Sequence, residues 1–121
     1  MQKINRRFHA VVDYLTGTFL LAAPWALQFN VSTAGTTVCV FAGVVLLIVS
    51  MMTDYEGGLA YHVPMAMHLN LEILLGIFLA LSPWLLEFSR QVYMPHLIIG
   101  LLLVTAGFFT VRTSLSDRQH K

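Results

Sequence analysis

Formal charge is scarce in this 121-residue chain: Asp, Glu, Lys and Arg make up 11% of it, against roughly 25% in ordinary globular domains. There is none at the 40 positions from Tyr14 to Thr53 and none at the 21 from Gln91 to Val111. A water-soluble protein this small exposes too much of its surface to hide such runs. Seven basic residues against six acidic ones leave a net charge of +1, too weak a field to gather nucleic acid, which excludes that partner. The lone Cys39 closes no internal disulfide. CxxC, HExxH, a Gly-rich phosphate loop and a nucleotide fingerprint are all missing, which argues against a hydrolase, kinase or dehydrogenase.

What is present is apolar: 57% of the residues are hydrophobic. The composition predicts an all-α integral membrane protein, a single transmembrane domain over 1–121. A bilayer core needs about 20 apolar residues per helical crossing. Four segments qualify, from about Phe8 to Gln28, Gly35 to Thr53, Pro64 to Phe88 and Pro95 to Val111. Polar connections near 30–35 and 89–94 separate the first pair and the last pair, and Pro95 suits a helix start because its missing N–H would be unsatisfied there anyway.

The two halves match each other. At an offset of 59, His9 pairs with His68, Asp13 with Glu72, Gly17 with Gly76, Phe19 with Phe78, Pro24 with Pro83, Trp25 with Trp84 and Phe29 with Phe88. At an offset of 57, Gly43 pairs with Gly100, Ser50 with Gly107 and Thr53 with Thr110. The unit reads as a two-crossing hairpin used twice, over about 8–53 and 64–112. Two crossings return the chain to its starting side, so the copies are expected to be parallel, related by a pseudo-two-fold axis along the membrane normal.

Lys3, Arg6, Arg7, Arg112, Arg118 and Lys121 flank the two ends, and of the first and third connections only the third carries a basic residue, Arg90. By the positive-inside rule both termini face the cytoplasm, together with the middle loop, whose Asp54 and Glu56 count little. The first apolar run looks superficially like a signal peptide. Pro24 is a poor cleavage context, however, and the same pattern recurs internally, so it reads as a retained helix.

Around Ala23-Pro24-Trp25 and Ser82-Pro83-Trp84 the chain resembles the SPW-repeat family of small bacterial membrane proteins, whose motif lies in the first of two transmembrane helices per repeat. The second copy matches; the first has Ala for Ser. The resemblance covers about Phe8 to Val111. It implies the architecture and a place in the bacterial inner membrane, and no activity or catalytic residue.

Pro24 and Pro83 remove a backbone donor and press on the carbonyls of Leu20 and Leu79, which predicts a kink or an end there. Trp25 and Trp84 then fall at an interface depth on the periplasmic side, where indoles anchor; the alternative is a hinge or vestibule around the axis. The sharper signal is His-x-x-x-acid, His9 with Asp13 and His68 with Glu72, a spacing that puts both side chains on one helix face. An acid within an apolar span is unfavourable by about 2.5–3.5 kcal/mol at its centre and usually faces the bundle interior with a partner. If both pairs face the axis, two imidazoles and two carboxylates converge. That set suits a divalent metal such as zinc, manganese or iron, or a proton relay. The structural alternative is pairing alone, with Asp13 at the interface beside Arg6, Arg7 or His9.

Glu87, Arg90 and His96 cluster in sequence about the third connection, as a solvated group or a gate. Tyr61 and His62 could extend the His9–His68 site. Cys39 reads as a small buried hydrophobe, with an intersubunit disulfide conceivable. Met51, Met52, Met65 and Met67 read as packing or lipid-facing residues. Gly76 with Ala80, Gly43 with Ser50, and Gly100 with Gly107 form small-residue stripes, joined by Gly17, that let helices approach closely in a left-handed bundle.

Three functional readings follow. The first is a small transporter or channel-like protein that binds a cation or proton at His9, Asp13, His68 and Glu72. The second is a redox subunit with His9 and His68 as axial haem ligands, or with a quinone pocket, and haem ranks below a divalent metal because the acids sit so near. The third is an accessory membrane subunit. Its partners are the lipid bilayer and a possible second copy, in a homodimer or larger assembly.

Overall fold

A computed structural model describes residues 4–53, 58–59 and 62–110. Lys3, Arg112, Arg118 and Lys121, which carry much of the orientation argument, lie outside the described residues, as do Asp54, Glu56 and Tyr61. Among the described residues the chain forms four helices: α1 (Arg6–Ala26), α2 (Thr33–Met52), α3 (Met65–Leu85) and α4 (Met94–Phe109). Strand pairing there is limited to two isolated parallel bridges, Ile4 with Thr110 and Thr53 with Val63.

Local chemistry sets the helix ends. Asn5 caps α1 by accepting the Phe8 N–H at 2.7 Å, and Ser32 caps α2 by accepting the Gly35 N–H at 3.0 Å. At their other ends α1 and α3 run two residues past their prolines. Each then turns through a residue in the left-handed region, Gln28 and Glu87, both at φ 60°. The Phe29 N–H returns to the Pro24 carbonyl and the Phe88 N–H to the Pro83 carbonyl, each at 2.8 Å, the bond that closes a helix in a Schellman turn. Phe29 and Phe88 are thereby buried in the main core. This is why the helices stop short of Gln28 and Phe88, where hydropathy alone placed their ends.

The carbonyls that the prolines orphan find new donors. The Ser82 hydroxyl donates to the Leu79 carbonyl at 2.8 Å. In the first half, where Ala23 stands at the matching position, the Cys39 thiol reaches over from α2 and donates to the Leu20 carbonyl at 3.2 Å. Cys39 is buried and committed to this contact, so the intersubunit disulfide is set aside.

Packing is tightest within α1–α2 and within α3–α4. A Cβ on Gly43 would lie 2.9 Å from the Gly17 carbonyl oxygen, and one on Gly76 would lie 2.6 Å from that of Gly100. A Cβ on Gly100 would come within 2.6 Å of the Ala80 nitrogen. Gly107 sits against Leu69 and Ile73. The small-residue stripes are therefore the crossing points, where bare backbones touch.

The distribution of polarity is inverted relative to a water-soluble protein. Leu15, Phe41, Leu74, Leu101 and Phe108 are exposed, whereas His9, Asp13, His68, Glu72 and His96 are buried. A surface this apolar suits hydrocarbon, since a soluble monomer rarely shows a contiguous apolar patch beyond a few hundred Å². Helices α2 and α3 are long and apolar enough to cross a membrane; α4 is apolar but has 16 residues, and α1 carries Arg6, Arg7 and Asp13.

Two predictions follow from these contacts. Gly100→Ala forces the α3–α4 crossing apart and should cost about 1–3 kcal/mol of stability, read by thermal unfolding in detergent. Cys39→Ala should cost about 1 kcal/mol by leaving the Leu20 carbonyl without its donor. Adding Ala23→Ser should restore most of that loss, because the serine reproduces the contact made by Ser82.

Candidate functional site

The four predicted residues come together. His9 is the fourth residue of α1 and His68 the fourth of α3, so both sit about one turn inside their helices. Asp13 and Glu72 follow one turn deeper. His9 Nε2 lies 3.1 Å from Asp13 Oδ1 and 3.0 Å from Glu72 Oε1. His68 Nε2 lies 2.8 Å from Asp13 Oδ2 and 3.1 Å from Glu72 Oε1. The imidazoles meet edge to face with centroids 5.6 Å apart. Every carboxylate thus touches both histidines, one on its own helix and one on the other hairpin.

Two threonines complete the arrangement. The Thr53 hydroxyl donates to the Val49 carbonyl at 2.6 Å and the Thr110 hydroxyl to the Ala106 carbonyl at 2.6 Å. With their hydrogens committed, the hydroxyl oxygens accept from His68 Nδ1 and His9 Nδ1, both at 2.7 Å. This places the Nδ1 proton on each ring and turns each Nε2 towards the carboxylates. The threonines come from the opposite hairpin to the histidine they hold. They matched each other in the repeat pattern, but a Thr at the end of an apolar run has an ordinary structural use, and only the fold shows which side chain it meets.

Ser50 was likewise visible only as a packing position. Its hydroxyl donates to Asp13 Oδ2 at 3.5 Å, a long contact, while the matching Gly107 offers Glu72 nothing of the kind. Glu72 Oε2 is buried without a hydrogen-bond partner.

The remaining candidates lie elsewhere. Trp25 and Trp84 are exposed, and the Trp84 ring lies 5.7 Å from that of Tyr93. His62 is exposed and Glu87 and Arg90 are exposed. His96 does not join Glu87 and Arg90: it is buried between Phe29 and Phe88 and its Nε2 donates to the Gly35 carbonyl at 2.9 Å. That bond ties α4 to the first turn of α2 at the far end of the bundle. Met65 is buried with Ala10 and Leu69, whereas Met51, Met52 and Met67 are exposed.

Both described chain ends lie beside the site, because the Ile4 N–H donates to the Phe109 carbonyl at 2.9 Å. The Val63 N–H donates to the Met52 carbonyl at 2.7 Å on the other hairpin's side. A cleft of about 200 Å³ between α1 and α4, lined by Phe8, Val12 and Leu102 among others, reaches His9. The matching seam between α2 and α3 holds only about 10 Å³ beside His68 and Glu72.

With the repeated Pro-Trp turns and the helical architecture in view, comparison with known families is decisive: the model of the SPW repeat domain matches residues 7–110. The chain belongs to the SPW repeat family. Membership, together with two apolar helices of crossing length, marks a membrane protein that associates with a lipid bilayer. Neither the curated proteins nor the solved structures give a significant match. The SPW motif also acquires a physical meaning here, since its serine is the donor that satisfies the carbonyl its proline orphans.

Truncating one histidine of the quartet leaves two buried carboxylates facing a single imidazole. His68→Ala should cost about 3–5 kcal/mol, the usual penalty for breaking a buried charged pair. His62→Ala, at an exposed position, should leave the thermal midpoint unchanged in the same measurement.

Proposed function

We propose that this SPW repeat protein is a four-crossing bundle of two parallel hairpin repeats that binds a cation at His9, Asp13, His68 and Glu72 and passes it across the bacterial inner membrane. The observation that carries the reading is the convergence of the quartet: one ligand atom from each residue lies within 4.8 Å of the others, all four side chains being buried. Ionisable groups held inside an apolar bundle are functional by default, because a purely structural core could be built more cheaply from apolar side chains.

The architecture is supported by repeated contacts. His9 with Thr110 mirrors His68 with Thr53, and the two Schellman turns match. Both described ends share one end of the bundle, which agrees with cytoplasmic termini. Trp25 and Trp84 serve as interfacial anchors at the opposite end. The redox alternative is less favoured. Carboxylate oxygens of Asp13 and Glu72 already bridge the two Nε2 atoms, and the rings meet edge to face with centroids 5.6 Å apart.

The experiment is flux into liposomes that hold either a divalent-ion dye or a pH dye. The native chain should carry one ion faster than protein-free vesicles, and Glu72→Gln or Asp13→Asn should reduce the rate to that of empty vesicles while helix content by circular dichroism stays unchanged. Flux that survives both substitutions sinks the proposal, and so does a native rate equal to that of empty vesicles.

A further inference from the structure

Resting on the reading of the quartet as a cation site, we infer that its ion is a divalent first-row transition metal bound through Nε2 of His9 and His68 and one oxygen each of Asp13 and Glu72, and that Thr53 and Thr110 are the positioning residues that aim both imidazoles at it.

Four observations carry this. The first is donor type. Two imidazole nitrogens with two carboxylates match zinc, manganese or iron, whereas magnesium and calcium take oxygen ligands almost throughout. The second is size. An ion held tetrahedrally at about 2.0–2.1 Å separates its ligand atoms by roughly 3.3 Å. Each Nε2 lies 2.8–3.1 Å from an oxygen of each acid, His9 reaching Asp13 through Oδ1 and His68 through Oδ2, and one ligand atom from each residue lies within 4.8 Å of the others. The N–O gaps need to widen by a few tenths of an ångström and the widest separation to close by up to about 1.5 Å, adjustments that side-chain torsions supply.

The third observation is charge. Two buried carboxylates in an apolar bundle call for two positive charges; two doubly protonated imidazoles supply them, and a divalent ion that displaces both Nε2 protons keeps the balance, whereas a monovalent ion does not. Glu72 Oε2, buried without a hydrogen-bond partner, is one more oxygen available to such an ion. The fourth is the outer shell. Metal-binding histidines almost always donate their second N–H to an oxygen that fixes the ring, and here both rings do so, to Thr110 and Thr53 at 2.7 Å. The same contacts argue against a proton relay through the rings. Each Nδ1–H ends on a hydroxyl whose own hydrogen is given to a main-chain carbonyl, so the chain of exchangeable protons stops there.

The test uses the purified full-length protein in detergent, stripped with a chelator and titrated with cobalt(II). The expected result is a set of visible ligand-field bands that zinc(II) abolishes and that a large excess of magnesium or calcium leaves intact. Thr53→Val and Thr110→Val should each weaken cobalt affinity by about 10–100-fold, while Thr53→Ser and Thr110→Ser, which keep the hydroxyl, should bind like the native chain. Bands displaced by magnesium or calcium as readily as by zinc would overturn the assignment of the ion, and equal losses in the serine and valine variants would overturn the role of the threonines. If the valine variants lose helix content, the serine variants and the native spectrum decide. Absent bands alongside dye-reported flux would overturn the ion class and leave the cation site standing; absent bands with no flux would remove both.

Discussion

The structure depends on one constraint: in hydrocarbon there is no water to satisfy a polar group, so every donor and acceptor must find its partner within the chain. The ring of His9, Glu72, His68 and Asp13 is where that constraint is most severe. Each acid needs a histidine from its own helix and one from the other hairpin, so neither hairpin satisfies its own acid completely. The two hairpins are thereby joined at one end by polar contacts, whereas their outer surfaces, crowded with exposed Leu, Phe and Ile, offer nothing specific. Apolar packing in lipid gains little from expelling water, which leaves directional contacts and bare-backbone crossings to determine which helix meets which.

The same constraint explains where the two halves differ. Proline opens a gap in hydrogen bonding at matched positions, and each half fills it with a different donor: Ser82 on the same helix, Cys39 from the neighbouring one. Because Ser82 has taken the Leu79 carbonyl, the position matched to Cys39 is relieved of that duty. It carries His96, which instead donates to the Gly35 carbonyl across the bundle. The acids differ in a similar way. Asp13, one methylene shorter, is met by Ser50, and the position matched to Ser50 is Gly107, which has no side chain to donate. In the first case a change on one helix is answered on the helix packed against it: Ala23 on α1 is answered by Cys39 on α2.

Much of this was legible in the residues. Four helices, their order, the Pro-Trp turns and the small-residue crossings followed from hydropathy and spacing, because apolar runs between polar connections leave few alternatives in a chain of this length. The convergence of His9, Asp13, His68 and Glu72 followed from the i, i+4 spacing together with the matched halves. What spacing could not supply were partners remote in sequence. His9 meets Thr110 and His68 meets Thr53, and a threonine at the end of an apolar run carries no mark of which ring it will hold. The helix ends were misplaced for a related reason: Gln28 and Glu87 are ordinary helix formers, and their left-handed conformation is imposed by burying the next phenylalanine. His96 looked like part of a solvated group beside Glu87 and Arg90 because neighbours in sequence were taken for neighbours in space.

The bundle's two kinds of seam differ in how they would respond to the contents of the ring. Within α1–α2 and α3–α4, glycine backbones touch, and any separation would lose close packing along the length of a helix. Between the hairpins the α1–α4 seam is loose, with clefts of about 200 Å³ beside His9 and about 280 Å³ near Phe19 and Ile98. The side-chain contacts described between the hairpins at the site end on the quartet, carboxylate to histidine and histidine to threonine, beside the main-chain bond from Ile4 to Phe109. Removing positive charge from that ring would leave Asp13 on α1 and Glu72 on α3 repelling one another between the two hairpins, whereas supplying it draws both hairpins onto the same centre. The loose α1–α4 seam has the least packing to resist that repulsion, and the glycine crossings within α1–α2 and α3–α4 would keep each pair of helices together.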